Sequence, residues 1–357
     1  MSILASDFYT NIGMRKYAAR TPFSKIGYTP TMTTTDSDIW SAAGAYVFPV
    51  GAAQWRIAAG NANDLGTVIK GNAEGANQTI LCDATGNTTT LVDADVNFAS
   101  AVAVAVGDCV LLSPKGDGST AALTPEWGYV TSVANAATGT LVIGGGFSSG
   151  GTCAAARAYS IVSKATTTGA QVVKIDYLTS AYASKTILVA LNGGTAVSIA
   201  GSGGAALTET FRVNSFRIVA AGSGAKAAAA ISLQLNAAPN TVYSYITAGF
   251  TRARNSAYTV PTGKTIYITE VNAGFGETAK AAVTDYARMY LRTNREPTTD
   301  FLTGDIFYGV TEVITFCNTM LLTLPIPLKI IATTDVKMSG LSSTSGFAVS
   351  TIRGWIE

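Results

Sequence analysis

Carboxylates are the main candidates for acid–base chemistry in this chain, because none of its 357 residues is a histidine. Histidine is the side chain whose unperturbed pKa lies near neutrality, and it is the commonest metal ligand. Acid–base chemistry would therefore need paired carboxylates, as in glycoside cleavage. The carboxylates considered for it, none with a local signature, are Glu126, Glu209, Glu270, Glu277, Asp285 and Asp300. We predict that the protein is not an enzyme, and a glycan-degrading enzyme is the alternative.

Other patterns that carry chemistry are incomplete. The glycine-rich runs at 144–146 and 201–204 are not followed by Lys-Ser/Thr or by a helical pattern, so they do not form a phosphate cradle. An acidic group lacks the spacing of a calcium loop, and we interpret its members as turn-stabilising residues. This group consists of Asp83, Asp93, Asp95, Asp108 and Asp117. The sequence predicts no catalytic, cofactor-binding or metal-binding residue and no cofactor.

The four cysteines, Cys82, Cys109, Cys153 and Cys317, are far apart and form no Cys-x-x-Cys pair. Without histidine to complete the ligand set, a zinc site is not expected. A protein that is assembled in cytosol keeps its thiols reduced, so we interpret the cysteines as buried free thiols. A disulfide between Cys82 and Cys153 is the alternative.

Composition points to an assembling subunit. Only 13% of the residues are charged, 48% are hydrophobic, and the mean hydropathy is +0.29. Such values favour a surface that neighbours cover, because obligate interfaces resemble a domain core. A net charge of +2 is too small for a dedicated nucleic-acid-binding protein. No apolar run reaches the roughly 18–20 residues of a membrane-spanning helix, and the first residues do not resemble a signal peptide. We expect neither a nucleic-acid nor a membrane partner.

Short alternating runs separated by glycine and asparagine turns predict an all-β fold. Five short runs between residues 88 and 162 are typical of a small barrel, and Val106-Gly107-Asp108 has the composition of a turn before a strand. Similar runs continue after residue 169. We therefore predict a jelly-roll-like β-sandwich at 40–76 and 167–357, with an inserted β-barrel domain at 77–166.

Residues 1–39 are predicted to form an extended N-terminal arm. Neither helical nor strand periodicity is clean there, except for a short helix at 6–18. Aromatic residues with few local partners suggest a weakly ordered segment that lies along another subunit, and a frayed terminus is the alternative. The candidate interaction residues of the arm are Phe8, Tyr9, Tyr17, Phe23 and Tyr28.

Several blocks share packing and turn patterns across most of the chain after residue 36. They are DIW at 38–40, YVFP at 46–49, TLVDADVNF at 90–98, VGD at 106–108, FRVN at 211–214, AAGSG at 220–224, YTVPTGKTIY at 258–267, PIPLKI at 325–330 and RGWIE at 353–357. Together these blocks resemble a family of small β-rich virion structural proteins of tailed bacteriophages. The stretch at 90–108 resembles a barrel module that is common in phage particle proteins.

The resemblance implies a non-enzymatic structural subunit of the virion, assembled in the host cytoplasm. We expect capsid decoration, with a collar or tail-fibre position as the alternative. The implied partners are copies of the chain, as a trimer or ring, and other virion proteins. A receptor-binding protein is another alternative, in which Trp127, Tyr129 or Tyr182 stacks on a host-surface glycan.

The C-terminal run at 347–355 is the candidate strand for contact between copies, with Arg353 and Trp355 as its interaction residues. Low charge and many short strands leave sheet edges that need cover, and cyclic closure covers them without forming filaments. An ordinary buried strand is the alternative for this run.

Residues 78–163 are predicted to fold autonomously, since both ends lie in Gly/Asn- and Thr/Gly-rich connections that tolerate insertion. Replacing them with a short Gly-Ser linker should leave the sandwich folded, as measured by circular dichroism and gel filtration. Recovery of aggregated protein alone would contradict this domain boundary.

Overall fold

The structure is a computed structural model, and it describes residues 20–70, 82–83, 86–99, 102–116, 125–135, 139–148, 153, 157–164, 167–199, 206–277, 285–294, 308–315 and 319–357. The chain divides into two compact units. We call Met1–Phe48, Ala181–Ser184 and Arg254–Glu357 the terminal unit, and Pro49–Ser180 with Lys185–Ala253 the mid-chain unit.

The described residues contain strands and no helix, and the strand pairs are antiparallel, which confirms the predicted all-β class. The first eleven strands are β1 (Thr21–Met32), β2 (Ser37–Asp38), β3 (Trp55–Ala59), β4 (Thr67–Lys70), β5 (Thr90–Val92), β6 (Cys109–Gly116), β7 (Glu126–Asn135), β8 (Thr140–Ile143), β9 (Arg157–Ser163), β10 (Ala170–Leu178) and β11 (Ser184–Ala190). The others are β12 (Val197–Ser198), β13 (Arg212–Ala221), β14 (Ile231–Leu235), β15 (Val242–Ile246), β16 (Tyr258–Thr259), β17 (Ile266–Glu277), β18 (Ala287–Thr293), β19 (Tyr308–Thr315), β20 (Thr319–Ile330), β21 (Asp335–Ser342) and β22 (Gly346–Ile356).

The terminal unit is a two-sheet sandwich. One sheet has the order β1-β22-β17-β20, and the other has the order β16-β21-β18-β19 with β2 beside β21. Alternate residues of β18 are buried, namely Ala287, Met289 and Leu291, as expected for a strand with one face on the core. They share one apolar cluster with Ile268 of β17 and Met338 of β21, so both sheets contribute to this core.

The first strand corrects part of the predicted arm. Residues 21–32 pair with β22, and Phe23 and Met32 are buried in the terminal unit's core. Prolines at 22 and 30 and an uneven burial pattern hide this strand from a periodicity reading. Residues 1–19, including the predicted helix at 6–18, lie outside the described residues.

The mid-chain unit contains a second sandwich. Its sheets have the orders β11-β10-β13 and β12-β3-β14-β15. Trp55 of β3 is fully buried, and its ring lies 6.2 Å from the ring of Tyr177 on β10. These two rings belong to the apolar cluster to which both sheets contribute. The predicted single sandwich is therefore divided between two compact units, because strands distant in sequence pair with each other.

Five strands from the predicted inserted domain form an open sheet with β4, which was predicted as part of the sandwich; the order is β4-β9-β6-β7-β8-β5. Within the described residues β4 and β5 do not pair, so the prediction of a closed barrel is wrong there. Alternation in a sequence indicates how many strands form, whereas closure depends on tilt and stagger. The turn at 106–108 is confirmed: Gly107 has a φ of 96°, and the buried Asp108 carboxylate accepts the N–H groups of Ala105 and Lys164 at 2.8 and 2.9 Å.

This six-stranded sheet shares a core with the three-stranded sheet. Leu111 of β6 and Val162 of β9 form one buried cluster with Val172 of β10, Leu188 of β11 and Ala220 of β13. Both sheets belong to the mid-chain unit. Autonomous folding of residues 78–163 stays a prediction. Replacing these residues with a linker removes Leu111 and Val162, and so exposes the apolar side chains of the three-stranded sheet that pack against them.

The interpretation of the cysteines as free thiols is wrong for two of them. Cys82 and Cys153 form a disulfide across a sequence separation of 71 residues. Their spacing in the sequence carries no signature, because each is held by a distant residue: the Cys82 N–H donates to the Arg157 carbonyl and the Cys153 N–H to the Asn87 carbonyl. Cys109 is free and buried, as expected. Cys317 lies outside the described residues.

Asp64 joins three segments of the mid-chain unit. Its carboxylate is fully buried and accepts the backbone N–H groups of Ala170, Ala228 and Ala229 at 2.7–2.9 Å. One of these N–H groups belongs to the first residue of β10. A buried carboxylate is stable here because several donors replace its water shell.

Asp64→Ala should lower the free energy of unfolding by about 2–4 kcal/mol, because one buried and two partly buried N–H groups lose their acceptor. Urea unfolding followed by tryptophan fluorescence measures the change. Asp95→Ala is the control, since Asp95 is exposed and should stay within about 0.5 kcal/mol of the wild type. Equal midpoints for both variants would contradict the role of Asp64.

Candidate functional site

The predicted interaction residues of the arm lie in different environments. Phe23 is buried, and its ring meets the ring of Tyr258 edge-on at 4.9 Å. Tyr28 is half-buried, with its ring 6.5 Å from that of Phe347. Phe23 therefore serves the core of the terminal unit. Phe8, Tyr9 and Tyr17 lie outside the described residues.

The C-terminal run, predicted to lie at or near the contact between copies, forms an interior strand of its sheet. It is hydrogen-bonded to β1 on one side and to β17 on the other. Trp355 is 5% exposed, and its ring stacks on Tyr267 at 5.0 Å with an interplanar angle of 12°. Arg353 is exposed and pairs with Glu270 at 3.2 Å. With both backbone edges occupied, β22 cannot add a strand from another chain.

Charged residues flank the start of β1 and the end of β22. The Arg20 guanidinium lies 5.8 Å from the Trp355 ring centre and donates to the Glu357 carboxylate at 2.9 Å. Hydrogen bonds from Arg20 and Tyr267 lower the pKa of Glu357. The bond to Glu357 in turn raises the pKa of the Tyr267 hydroxyl. Trp355 is therefore held by a stacked ring and a cation.

The surface best suited to a partner is the β20 edge, which we define as Met320, Leu321 and Ile326 of β20 with Ile331, which directly follows the strand. β20 is hydrogen-bonded to β17 and, among the described strands, to no other. These four apolar side chains are 50–83% exposed, and Ile326 is the most exposed of them. An unpaired strand edge with apolar side chains is a template for another chain.

The sequence of β20 explains why it lies at an edge. Leu322, Leu324 and Leu328 pack against the core of the terminal unit. The pairing with β17 is irregular between Thr323 and Leu328, where Pro325 and Pro327 flank Ile326. Proline has no N–H to donate, so it is tolerated in an edge strand and excluded from a central one. The proline pair in an apolar run was the signal that could have identified this edge from the sequence.

The aromatic residues that we considered for sugar stacking are distributed over both units. Trp127 and Tyr129 lie on β7 of the mid-chain unit, and Tyr182 belongs to the terminal unit. Trp127 is half-buried, whereas the side chain of Tyr129 is 41% exposed. The structure therefore places two of the three on one strand.

Most of the carboxylates considered for glycoside cleavage have other partners. Glu209 pairs with Lys185 at 2.8 Å and accepts the Tyr177 hydroxyl at 3.0 Å; burial, with the Glu209 charge second, raises the pKa of Tyr177. Glu270 pairs with Arg353. Asp300 lies outside the described residues. The described part of the chain has no group of three or more Cys, Asp or Glu side chains placed to hold a metal ion.

Three members of the acidic group at 83–117 stabilise turns. Asp83 accepts the N–H of Ala94 at 2.5 Å, and Asp93 accepts that of Asp95 at 3.2 Å. Asp108 holds its turn in the same way. The turn interpretation is confirmed for these three residues, and Asp117 lies outside the described residues.

Comparison of the chain with protein-family models, with curated proteins and with solved structures finds no match. Within the described residues no helix is long and apolar enough to cross a membrane.

Trp355→Ala should destabilise the protein by about 3–5 kcal/mol, because it removes a buried ring. Arg353→Ala should cost less than about 1 kcal/mol, because its ion pair is largely exposed to water. Thermal and urea unfolding of the two variants measures the difference. A larger loss for Arg353→Ala would show that β22 contributes mainly through its outer surface.

Proposed function

We propose that this chain is a non-enzymatic structural subunit of a tailed-bacteriophage particle and that it decorates the capsid. It associates with copies of itself in a trimer or closed ring. The sequence resemblance supports the virion role, and the all-β fold with low charge is compatible with it. A position in the collar or a tail fibre is the alternative.

The observation that carries the proposal is the β20 edge. Four large apolar side chains lie beside backbone groups that have no strand partner among the described residues. A second copy of the chain would cover both features at once, since strand addition pairs the backbone while side chains fill the contact. The only charged residue within β20 is Lys329, so little charge repels an approaching copy.

The symmetry of the assembly follows from which surface meets β20. Two β20 strands that pair with each other would give a two-fold dimer with identical halves. A trimer or ring requires β20 of one copy to meet a different surface of the next copy. The proposed cyclic assembly is of this second kind.

Attachment to the particle is assigned to the segment that precedes β1. Phe8, Tyr9 and Tyr17 of this segment are the proposed contacts with other virion proteins, because aromatic side chains provide much contact area at low entropic cost. The subunit would be assembled in the host cytoplasm and remain in the virion.

Ile326→Lys should shift the protein towards monomer by roughly tenfold or more in dissociation constant, because a charge replaces the most exposed side chain of the β20 edge. Sedimentation velocity across a concentration series up to tens of micromolar measures the shift. Val50→Lys is the matched control, since Val50 is 99% exposed and belongs to the mid-chain unit.

Equal association of the two variants would contradict a role for β20. A wild-type protein that is strictly monomeric over the whole series would contradict autonomous assembly. Unfolding free energies within about 0.5 kcal/mol of the wild type would show that both lysines leave the fold intact.

A further inference from the structure

A cleft of about 500 Å³ lies in the mid-chain unit, lined by residues of the six-stranded sheet and of β13. Its lining includes Tyr129 and Thr131 from β7, Lys164 directly after β9, Gln171 from β10, and Val219 from β13. A cleft of this size accommodates a small ligand or a few sugar rings. It adjoins the cluster that the two sheets share, since Ala220 belongs to both.

Tyr129 presents a fixed aromatic face to this cleft. Its hydroxyl donates to the Val219 carbonyl, which anchors the ring between β7 and β13. The side chain is nevertheless 41% exposed. Burial, with a smaller contribution from Cys109, raises the pKa of Tyr129 to about 12. The ring therefore stays uncharged near neutrality and can stack on the apolar face of a sugar.

One cation lines the cleft, and three others are next to its lining residues in the sequence. Lys164 lines it, Lys226 follows the lining residue Ala225, and Arg252 follows the lining residue Thr251. Arg217 precedes the lining residue Ile218, and its backbone forms an isolated antiparallel β-bridge with that of Arg252. All four are exposed, and within the described chain none has a carboxylate oxygen within 4.0 Å.

Two carboxylates of the same unit, Asp108 and Asp176, already have partners. Asp108 accepts two backbone N–H groups and is buried. Asp176 pairs with Lys174 at 2.8 Å. Lys174 lies opposite Arg217 in the pairing of β10 with β13, and both cations face the Trp127 ring at 5.8 and 5.5 Å. Asp176 compensates the charge of Lys174, whereas Arg217 has no carboxylate partner among the described residues.

We infer that this cleft binds an acidic saccharide. A sugar ring stacks on Tyr129, and its carboxylate pairs with Lys164, with Arg217 and Arg252 near the cleft attracting further acidic residues of the chain. An anionic ligand is favoured over a neutral one because the cations have no carboxylate partners. Nucleic acid is disfavoured because four scattered cations and one platform do not form a phosphate-tracking groove.

The inference does not depend on self-association, since the cleft belongs to the mid-chain unit and β20 to the terminal unit. Isothermal titration of the full chain provides the test. The probes are trigalacturonate, its methyl ester, a hyaluronan tetrasaccharide, sialyllactose and the oligonucleotide dT10. At least one acidic saccharide should bind, and for trigalacturonate the methyl ester should bind at least tenfold more weakly.

Two variants assign the binding to the cleft. Lys164→Gln should raise the dissociation constant of the acidic saccharide by roughly tenfold or more, because it removes a charge-assisted contact. Lys264→Gln, an equal change of charge at an exposed site of the terminal unit, should leave binding unchanged. Tyr129→Phe keeps the ring and should retain binding, whereas Tyr129→Leu should lose it.

Several results would overturn the inference. These are no binding of any acidic saccharide at millimolar concentration, equal binding of the acid and its ester, equal binding of dT10, or equal loss in the Lys164 and Lys264 variants. Because Lys164→Gln changes an exposed side chain, the test remains informative even where Tyr129→Leu does not fold. Normal sedimentation alongside lost saccharide binding would separate this site from the β20 edge.

Discussion

Unpaired backbone groups at sheet edges are the constraint on which this structure depends. Every open sheet ends in strands whose outward N–H and C=O groups need water, a cap or another chain. In the terminal unit, the two edge strands of the sheet β1-β22-β17-β20 differ in how their outward backbone groups are covered. Both edge strands carry two prolines, Pro22 and Pro30 in β1 and Pro325 and Pro327 in β20. β1 is also capped, because its Tyr28 N–H donates to the Arg254 carbonyl at 3.2 Å. Among the described strands only β17 pairs with β20, so β20 is the more available edge.

The same constraint explains how the chain is arranged. β1 from the start of the chain and β22 from its end pair along almost their whole lengths, and β17 covers the other side of β22. The strands at both ends of the described chain are therefore held in a single sheet. In the mid-chain unit, buried carboxylates accept some backbone N–H groups that no neighbouring strand pairs. Asp64 and Asp108 accept N–H groups that begin or follow strands.

Local chemistry made some features predictable from the sequence. Alternating apolar runs indicate strands, and a glycine–aspartate pair indicates a turn, because both signals depend on neighbours in the chain. Features that depend on distant partners were not predictable. The disulfide between Cys82 and Cys153, the interior position of β22 and the open end of the six-stranded sheet all require the register of strands far apart in sequence. β1 was missed because its prolines obscure its alternation.

The two candidate surfaces differ in what could be seen in advance. Tyr129 was recognisable as an aromatic residue on a strand, but its unpaired cationic neighbours come from several strands and loops. The β20 edge was visible only as an apolar run with two prolines. Its exposure follows from the sheet order, which leaves β20 without a second neighbour.

Hydrogen–deuterium exchange of the wild-type chain at low and high concentration tests the central claim most directly, because amides at an edge exchange slowly only when they are paired. The account predicts that the peptide spanning residues 319–331 gains protection as the oligomer forms, while peptides from the interior strand β22 do not change. Oligomer formation with unchanged exchange at 319–331 would contradict it.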